Sequence, residues 1–168
     1  MEKIRYGFYM VAEMLLRLCI HPRLRAQVLR LLGAQVGRNA RVYECRFINL
    51  RNGFSTLRIG DDVHIGFDCL FDLEGPLVIG RGTTLSPRVV VMTHADPGSM
   101  HGSPWCVRFP VDVRGVVVGD HCWIGTGATL LSGARLSDNV AVGACALVRG
   151  DLAESGIYVG VPARRIKD

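Results

Sequence analysis

Histidine is the side chain in this sequence best suited to moving a proton, because its unperturbed pKa of about 6.5 lies near neutral pH. The sequence holds five histidines, at positions 21, 64, 94, 101 and 121. His94 differs from the others because it follows the apolar run 89–92 and opens a segment rich in proline and glycine. We therefore predict that His94 is a general base held at a strand end. The alternative is a hydrogen-bonded loop histidine.

The segment after His94 holds two further polar candidates. Asp96 either orients the imidazole or caps the loop. His101 lies in the middle of the same segment and either contacts a substrate or is solvated. Asp96 and His101 are both candidate substrate-binding residues.

An aliphatic residue recurs at every sixth position of the segment 118–148. The recurring residues are Val118, Ile124, Leu130, Leu136, Val142 and Val148. Steps of about 100° per residue would scatter them around a helix, whereas six is a multiple of the two-residue period of a strand. Small residues, often glycine, follow the aliphatic positions and predict bends between short straight runs. The pattern predicts a parallel β-helix in which three hexads complete one triangular coil.

Earlier hexads show the same pattern with small changes of register. They place aliphatic or aromatic residues at Val36, Val42 and Ile48, at Ile59, Ile65 and Phe71, and at Ile79, Leu85 and Val91. The register then breaks before Val118, which predicts a loop extruded at 95–115, and a long loop in a compact repeat is usually functional. We expect about five coils over residues 34–152, with a turn at 149–151. Residues 153–168 should form a strand at 157–159 and a short basic tail.

Residues 1–33 are predicted to be helical, with a break at Pro22 and an end near Gly33. Two interpretations of residues 2–32 stay open. The helices can cap the open end of the β-helix and cover its unpaired backbone groups. They can also make a peripheral membrane contact, with the apolar face down and arginines on the headgroups.

The composition is that of one folded domain. Hydrophobic residues make up 49% of the 168 residues and charged residues 21%. This balance excludes a disordered chain. The net charge of +5 favours an anionic partner, but no basic stripe interleaved with aromatic residues predicts a nucleic-acid surface.

The cysteines and the first residues bear on location. The six cysteines show no C-x-x-C pair and indicate buried thiols in a reducing compartment. No cleavable signal is recognised. We therefore expect a cytoplasmic protein, including at the inner face of the membrane.

Three segments together resemble the hexapeptide-repeat acyltransferases. They are Val118-Gly-Asp-His-Cys-Trp123-Ile-Gly125, Ile157-x-x-Gly160-x-Pro162-Ala-Arg164-x-Ile166-Lys167, and Thr93-His94 before the loop. The nearest branch is the acetyl-CoA-dependent O-acetyltransferases of sugars and surface polysaccharides. The predicted N-terminal helical segment, up to Gly37, resembles the colanic-acid and capsule members of that branch. The resemblance covers about residues 30–168.

This resemblance implies a left-handed β-helix, a homotrimer with active sites between neighbouring subunits, and transfer from acetyl-CoA to a hydroxyl without a metal. His94 matches the family's catalytic base. The residues implied to contact the acetyl-CoA are Trp123, Thr126, Ala144, Arg149, Arg164 and Lys167. Asp68 matches a position that contacts the sugar. Ordinary coil turns and a solvated basic tail are the alternatives for these positions, and a trimer interface is the alternative for Trp123.

Two other functions remain open at this stage. One is a non-catalytic trimeric scaffold that binds polysaccharide. The other is a zinc-dependent hydratase resembling the γ-type carbonic anhydrases, which needs three convergent histidine ligands. The separation of His94 from His101 does not match the short ligand spacing of that site. The sequence does not identify the acceptor.

Overall fold

A computed structural model describes residues 2–167, with side chains described for residues 4–166. The helices are α1 (Glu2–Arg17), α2 (Pro22–Leu31) and α3 (Trp105–Arg108), and short 3₁₀ turns lie at Leu50–Asn52 and Ser99–His101. The strands are β1 (Gln35–Val36), β2 (Arg41–Val42), β3 (Cys45–Ile48), β4 (Leu57–Ile59), β5 (His64–Ile65), β6 (Cys69–Asp72), β7 (Leu77–Ile79), β8 (Thr84–Leu85), β9 (Val90–Val91), β10 (His94–Ala95), β11 (Asp112–Val113), β12 (Val116–Val118), β13 (Trp123–Ile124), β14 (Thr129–Leu130), β15 (Arg135–Leu136), β16 (Val140–Val142), β17 (Leu147–Val148), β18 (Asp151–Leu152), β19 (Gly156–Val159) and β20 (Arg164–Lys167).

The short strands stack into three parallel sheets that form the faces of a triangular prism. Face A contains β1, β4, β7, β12, β15 and β18; face B contains β2, β5, β8, β13, β16 and β19; face C contains β3, β6, β9, β14 and β17. The chain visits the faces in the order A, B, C on every coil. The coils wind left-handed, which confirms the β-helix predicted from the hexads.

The recurring aliphatic residues form the core of the prism. The six from Val118 to Val148 are at most 3% exposed. They stack directly on their counterparts in neighbouring coils, as Leu85, Ile124 and Val142 do on face B. Because a strand alternates its side chains, the hexad repeat keeps this apolar column inside on every coil and removes it from water.

The ends of the prism differ from the predicted pattern in three places. In the first coil, Phe47 rather than Ile48 pairs with Phe71, because the corner before β3 is one residue shorter. Asp151, predicted to lie in a turn, belongs to β18, and β18 and β19 add two sides of a further coil after five complete ones. The segment predicted as a short basic tail forms a strand, because β20 turns back and pairs antiparallel with β19.

The glycines that follow the aliphatic positions allow close stacking of coils more than they bend the chain. At the edge between faces A and B, the positive φ angles fall two residues later, at Asn39, Asp62, Gly82, His121 and Asn139. By contrast, a Cβ placed on Gly80 would overlap the carbonyl carbon and oxygen of Gly119 in the next coil. A side chain there would push two hydrogen-bonded coils apart.

The N-terminal helices cover the first coil, so one of the two interpretations of residues 2–32 is observed. Arg30 donates to the carbonyls of Val36, at 2.7 Å, and Gly37. Glu13 accepts from the backbone N–H of Phe47 at 3.2 Å. These contacts satisfy backbone groups of the exposed edge strands β1 and β3. Among residues 2–167, no helix combines the length and the apolar content needed to cross a bilayer.

Gly80→Ala should lower the free energy of unfolding by about 1–3 kcal/mol or more, because the new methyl group meets backbone that cannot move aside. Urea denaturation followed by circular dichroism measures the change. Gly7→Ala is the matched control, because Gly7 lies in α1 with nothing within 4 Å of the new methyl group. It should raise stability by about 0.5–1 kcal/mol. Equal effects of the two substitutions would contradict the steric explanation.

Candidate active site

His94 lies beside a buried carboxylate at the edge between faces C and A. The chain leaves β9, passes Thr93 and starts β10 at His94, while Asp72 ends β6 in the coil below. Nδ1 of His94 lies 2.5 Å from Oδ2 of Asp72. Because a carboxylate can only accept, this contact requires a proton on Nδ1 and leaves Nε2 as the basic nitrogen.

Asp72 is fully buried, and hydrogen bonds surround its carboxylate. Oδ2 accepts from the backbone N–H of Thr93 at 2.8 Å, from the Thr93 hydroxyl at 3.0 Å and from the backbone N–H of His94 at 3.0 Å. Oδ1 accepts from Asn49 Nδ2 at 2.9 Å and from the Glu74 backbone N–H at 3.1 Å. Burial alone would raise the pKa of this carboxyl, but the hydrogen bonds outweigh burial and hold the pKa below its ordinary value.

The imidazole of His94 is held on one side and accessible on the other. Its side chain is 20% exposed, and within the described part of the chain no hydrogen bond reaches Nε2. The ring is therefore fixed in orientation and tautomer, with its basic nitrogen available to a proton donor. This is the arrangement that a general base needs.

A two-stranded arm begins at His94. Strands β10 and β11 pair antiparallel, with His94 opposite Val113, and enclose the 3₁₀ turn and α3. Asp96 accepts from the backbone N–H groups of Gly98 and Ser99 and from the Ser99 hydroxyl, so it caps the arm and Asp72 orients the imidazole. His101 ends the 3₁₀ turn and is exposed.

The predicted cofactor residues Trp123, Thr126 and Ala144 lie on or beside the edge between faces B and C. Trp123 projects from face B, is 60% exposed, and donates from Nε1 to the Ser86 hydroxyl at 3.0 Å. Thr126 and Ala144 occupy equivalent corner positions in successive coils, and the carbonyl of Thr126 accepts from the backbone N–H of Cys145. Asp68 occupies the corner between β5 and β6, at the same edge in an earlier coil, and is exposed.

The predicted phosphate-binding arginines come together at the C-terminal end of the prism. Arg149 and Arg164 both line a cavity of about 320 Å³ that also includes Arg165 and Asp151. Both predicted arginines are exposed, and Arg164 donates to the carbonyl of Ala163 at 2.9 Å. The side chain of Lys167 lies outside the described residues.

His94 and the predicted cofactor residues lie on different edges of one prism. His94 follows face C, whereas Thr126 and Ala144 precede face C. A face of this width spans roughly 15–20 Å for about six extended residues. One chain therefore does not bring these two groups of residues together along its own surface.

Sequence reasoning missed Asp72, although the sequence carries a signal for it. The acid stands between Phe71 and Leu73, and it directly follows the hexad position that faces the core. A charged residue enclosed by two core residues indicates a buried carboxylate that must find several donors.

Among residues 2–167, no group of three His, Cys, Asp or Glu side chains lies close enough to hold a metal ion. His94 and His101 are both on the arm, but only His94 has a carboxylate bonded to its ring.

Comparison with known proteins gives acetyltransferases as relatives. The chain is 32% identical over 117 residues to the putative lipopolysaccharide biosynthesis O-acetyl transferase WbbJ of Escherichia coli strain K12, covering 66% of this chain and 57% of that protein. It is 28% identical over 147 residues to the putative colanic acid biosynthesis acetyltransferase WcaF of the same organism, covering 87% and 75%. The chain thus spans little more than half the length of WbbJ. No family model matches it.

A solved structure has the same fold. The hexapeptide-repeat-containing acetyltransferase VCA0836 of Vibrio cholerae matches with a TM-score of 0.80 at 18% identity, over 99% of this chain and 91% of that one. That protein has also been solved in complex with acetyl coenzyme A. At this identity the likeness concerns the fold. With the sequence relatives, it shows that the chain is related to the hexapeptide-repeat acetyltransferases, which confirms the resemblance seen in the sequence.

Asp72→Asn should lower the free energy of unfolding by about 1–3 kcal/mol at pH 7, because either orientation of the amide puts an NH₂ group against donors. The folded-state pKa of Asp72 is lowered, so its stabilisation is complete above the unfolded-state pKa of about 4 and is lost as the pH falls through the folded-state value. The stability difference between wild type and Asp72→Asn should therefore narrow below about pH 4 in urea denaturation.

Asp68→Asn is the control for this prediction. Asp68 is an exposed corner residue with positive φ, which asparagine tolerates, and its side chain makes no hydrogen bond within the described residues. Its effect should stay within about 0.5 kcal/mol. A stability difference between the wild type and Asp72→Asn that does not change with pH would contradict the role given to the buried carboxylate.

Proposed function

We propose that the chain is an acetyltransferase that moves an acetyl group from acetyl-CoA to a hydroxyl of a sugar or surface-polysaccharide precursor, with His94 as general base. The contact of His94 with the buried Asp72, which leaves Nε2 free at the base of the arm, carries this proposal. The names of WbbJ and WcaF, which concern lipopolysaccharide and colanic acid, support a saccharide acceptor.

The proposed reaction uses one base in two directions. Nε2 of His94 takes the proton of the acceptor hydroxyl while that oxygen attacks the thioester carbonyl carbon. Asp72 stabilises the imidazolium through the hydrogen bond to Nδ1. The carbon–sulfur bond then breaks, and the coenzyme A thiolate takes the proton from the imidazolium. The products are the acetyl ester and free coenzyme A.

The remaining predicted residues divide between donor and acceptor. We place the pantetheine arm along the edge that carries Thr126 and Ala144, with Trp123 beside the thioester. The phosphates meet the guanidinium groups of Arg149 and Arg164 in the C-terminal cavity, where Lys167 also belongs. The residues proposed to contact the acceptor are Asp68, Asp96 and His101.

A homotrimer forms part of the proposal, because the two halves of the site lie on different edges of one prism. Apposing the His94 edge of one subunit to the Thr126 edge of its neighbour brings base and donor together. The arm also exposes apolar side chains that a contact between two subunits would bury: Met100, Trp105, Val107, Phe109, Val111 and Val113. We expect a cytoplasmic location, since all six cysteines are free.

His94→Ala should reduce acetyl transfer by about 10²- to 10⁴-fold, because the proton of the attacking hydroxyl loses its acceptor. Coenzyme A release, followed by a thiol reagent with a panel of saccharide hydroxyl acceptors, measures the rate. The rise in melting temperature that acetyl-CoA gives the wild type should persist in this variant, because His94 does not hold the cofactor in the proposal.

The matched control is His121→Asn. His121 is exposed and has a positive φ angle, which asparagine tolerates. It lies at the edge between faces A and B, away from His94. This variant should keep wild-type activity. If His94→Ala keeps activity within about tenfold of the wild type, the base lies elsewhere.

Subunit complementation tests the shared site. Thr126→Trp should block the proposed pantetheine groove and remove activity, as His94→Ala removes the base. When the two variants are unfolded together and refolded, mixed trimers contain sites with an intact base from one subunit and an intact groove from its neighbour. Activity should return in the mixture and in neither variant alone. A mixture that stays inactive while mixed trimers are detected by mass spectrometry would contradict a site shared by two subunits.

A further inference from the structure

Helices α1 and α2 expose an apolar surface on the side that faces away from the prism. The inner side of α1 packs on the first coil through Tyr9, Glu13 and Leu16. The outer side carries large apolar residues one turn apart along the whole helix, and α2 continues the surface. The exposed residues of this helical apolar face are Ile4, Phe8, Val11, Leu15, Leu18, Leu24 and Leu31.

A groove between the two helices makes the helical apolar face continuous. It has a volume of about 350 Å³ and is lined from α1 by Phe8, Val11 and Leu15 and from the α2 side by Val28 and Leu32. Its lining is almost entirely apolar, so water in it gains few hydrogen bonds. A groove of this kind accommodates a hydrocarbon chain.

The segment that forms this face carries most of the net positive charge of the protein. Residues 1–33 contain six Lys or Arg and two Asp or Glu, which accounts for four of the five net positive charges. Of the two acids, Glu13 is buried and bonded to the Phe47 backbone and Arg17. Arg25 is buried and donates to the carbonyls of Arg17 and Cys19. Arg5 and Arg23 are exposed and form no ion pair in the described part of the chain; Arg5 donates to the carbonyl of Arg51 at 3.3 Å, and Arg23 lines a surface cavity together with Asp62. The exposed surface of these two helices therefore carries net positive charge.

We propose that α1 and α2 dock the protein on an anionic lipid bilayer, with the helical apolar face in the acyl boundary and Arg5 and Arg23 on the headgroups. An apolar helix face on helices of net positive charge is the arrangement that binds at such an interface. A second copy of the chain is a poorer occupant, because it would bring the same positive charge against itself. This binding is independent of acetyl transfer.

Co-sedimentation of the full chain with vesicles tests this proposal. The wild type should bind vesicles of phosphatidylcholine mixed with phosphatidylglycerol more tightly than vesicles of phosphatidylcholine alone, and added salt should weaken the binding. Phe8→Ser with Leu15→Ser should lower the partition coefficient at least about tenfold. Arg5→Gln with Arg23→Gln should lower it by about fivefold for each arginine.

The controls exchange equally exposed residues outside the helices. Val161→Ser with Ile166→Ser matches the apolar pair, and Arg58→Gln with Arg135→Gln matches the arginine pair; all four residues are exposed and lie outside the arm that is proposed to form the trimer contact. The control variants should bind vesicles as the wild type does. All exchanged side chains are exposed to solvent, and thermal melting checks that each variant is folded.

Three results would overturn the proposal. The first is equal binding of the wild type to both kinds of vesicle, and the second is no change of binding in the helical variants. The third is a change in oligomeric state of Phe8→Ser with Leu15→Ser, measured by analytical ultracentrifugation without lipid, while vesicle binding stays at the wild-type level. That result would assign the face to a contact between subunits.

Discussion

Each coil of this protein is tied to the coil before it by backbone hydrogen bonds and a shared column of buried aliphatic side chains. This stacking restricts which residue types fit in the coils, because backbone atoms of successive coils come so close that positions such as Gly80 leave no space for a side chain. Leu130 pairs with Val148 above it and with Val91 below it, although far more chain separates Val91 from Leu130 than Leu130 from Val148. The residues between Val91 and Leu130 that are not needed for one coil leave the prism and form the arm. The arm in turn puts His94 at a fixed corner.

The buried carboxylate of Asp72 shows how the stacked coils fix the orientation of one side chain. A charge removed from water is costly unless donors replace the water, and the donors here come from three coils of the chain and from the first residues of the arm. Asn49 and Thr93 hold the carboxylate in place, and the carboxylate holds the imidazole of His94. The orientation of the ring is thus a property of the packed coils, while the accessible Nε2 lies at the boundary between the rigid prism and the arm.

The sequence predicted the repeating part of this molecule well, because an aliphatic residue at every sixth position is a local signal with one geometric solution. It also located the arm and singled out His94. It did not reveal Asp72 as the partner of His94, because that contact joins residues of different coils and depends on donors distant in sequence. Asp96 lay closer in sequence, but its carboxylate bonds to Ser99. The additional strands β18 and β20 were missed for a related reason: their pairing comes from neighbouring strands and not from a hexad of their own.

The two ends of the prism are closed in different ways. At the first coil, α1 and α2 cover the strands, and after the last coil β20 runs against the direction of β19. A stack of parallel coils with open ends would accept another molecule as its next coil, and such addition could continue without limit into a fibre. The helices at one end and the reversed strand at the other interrupt the parallel pattern, so the prism is limited to the coils that its own chain supplies.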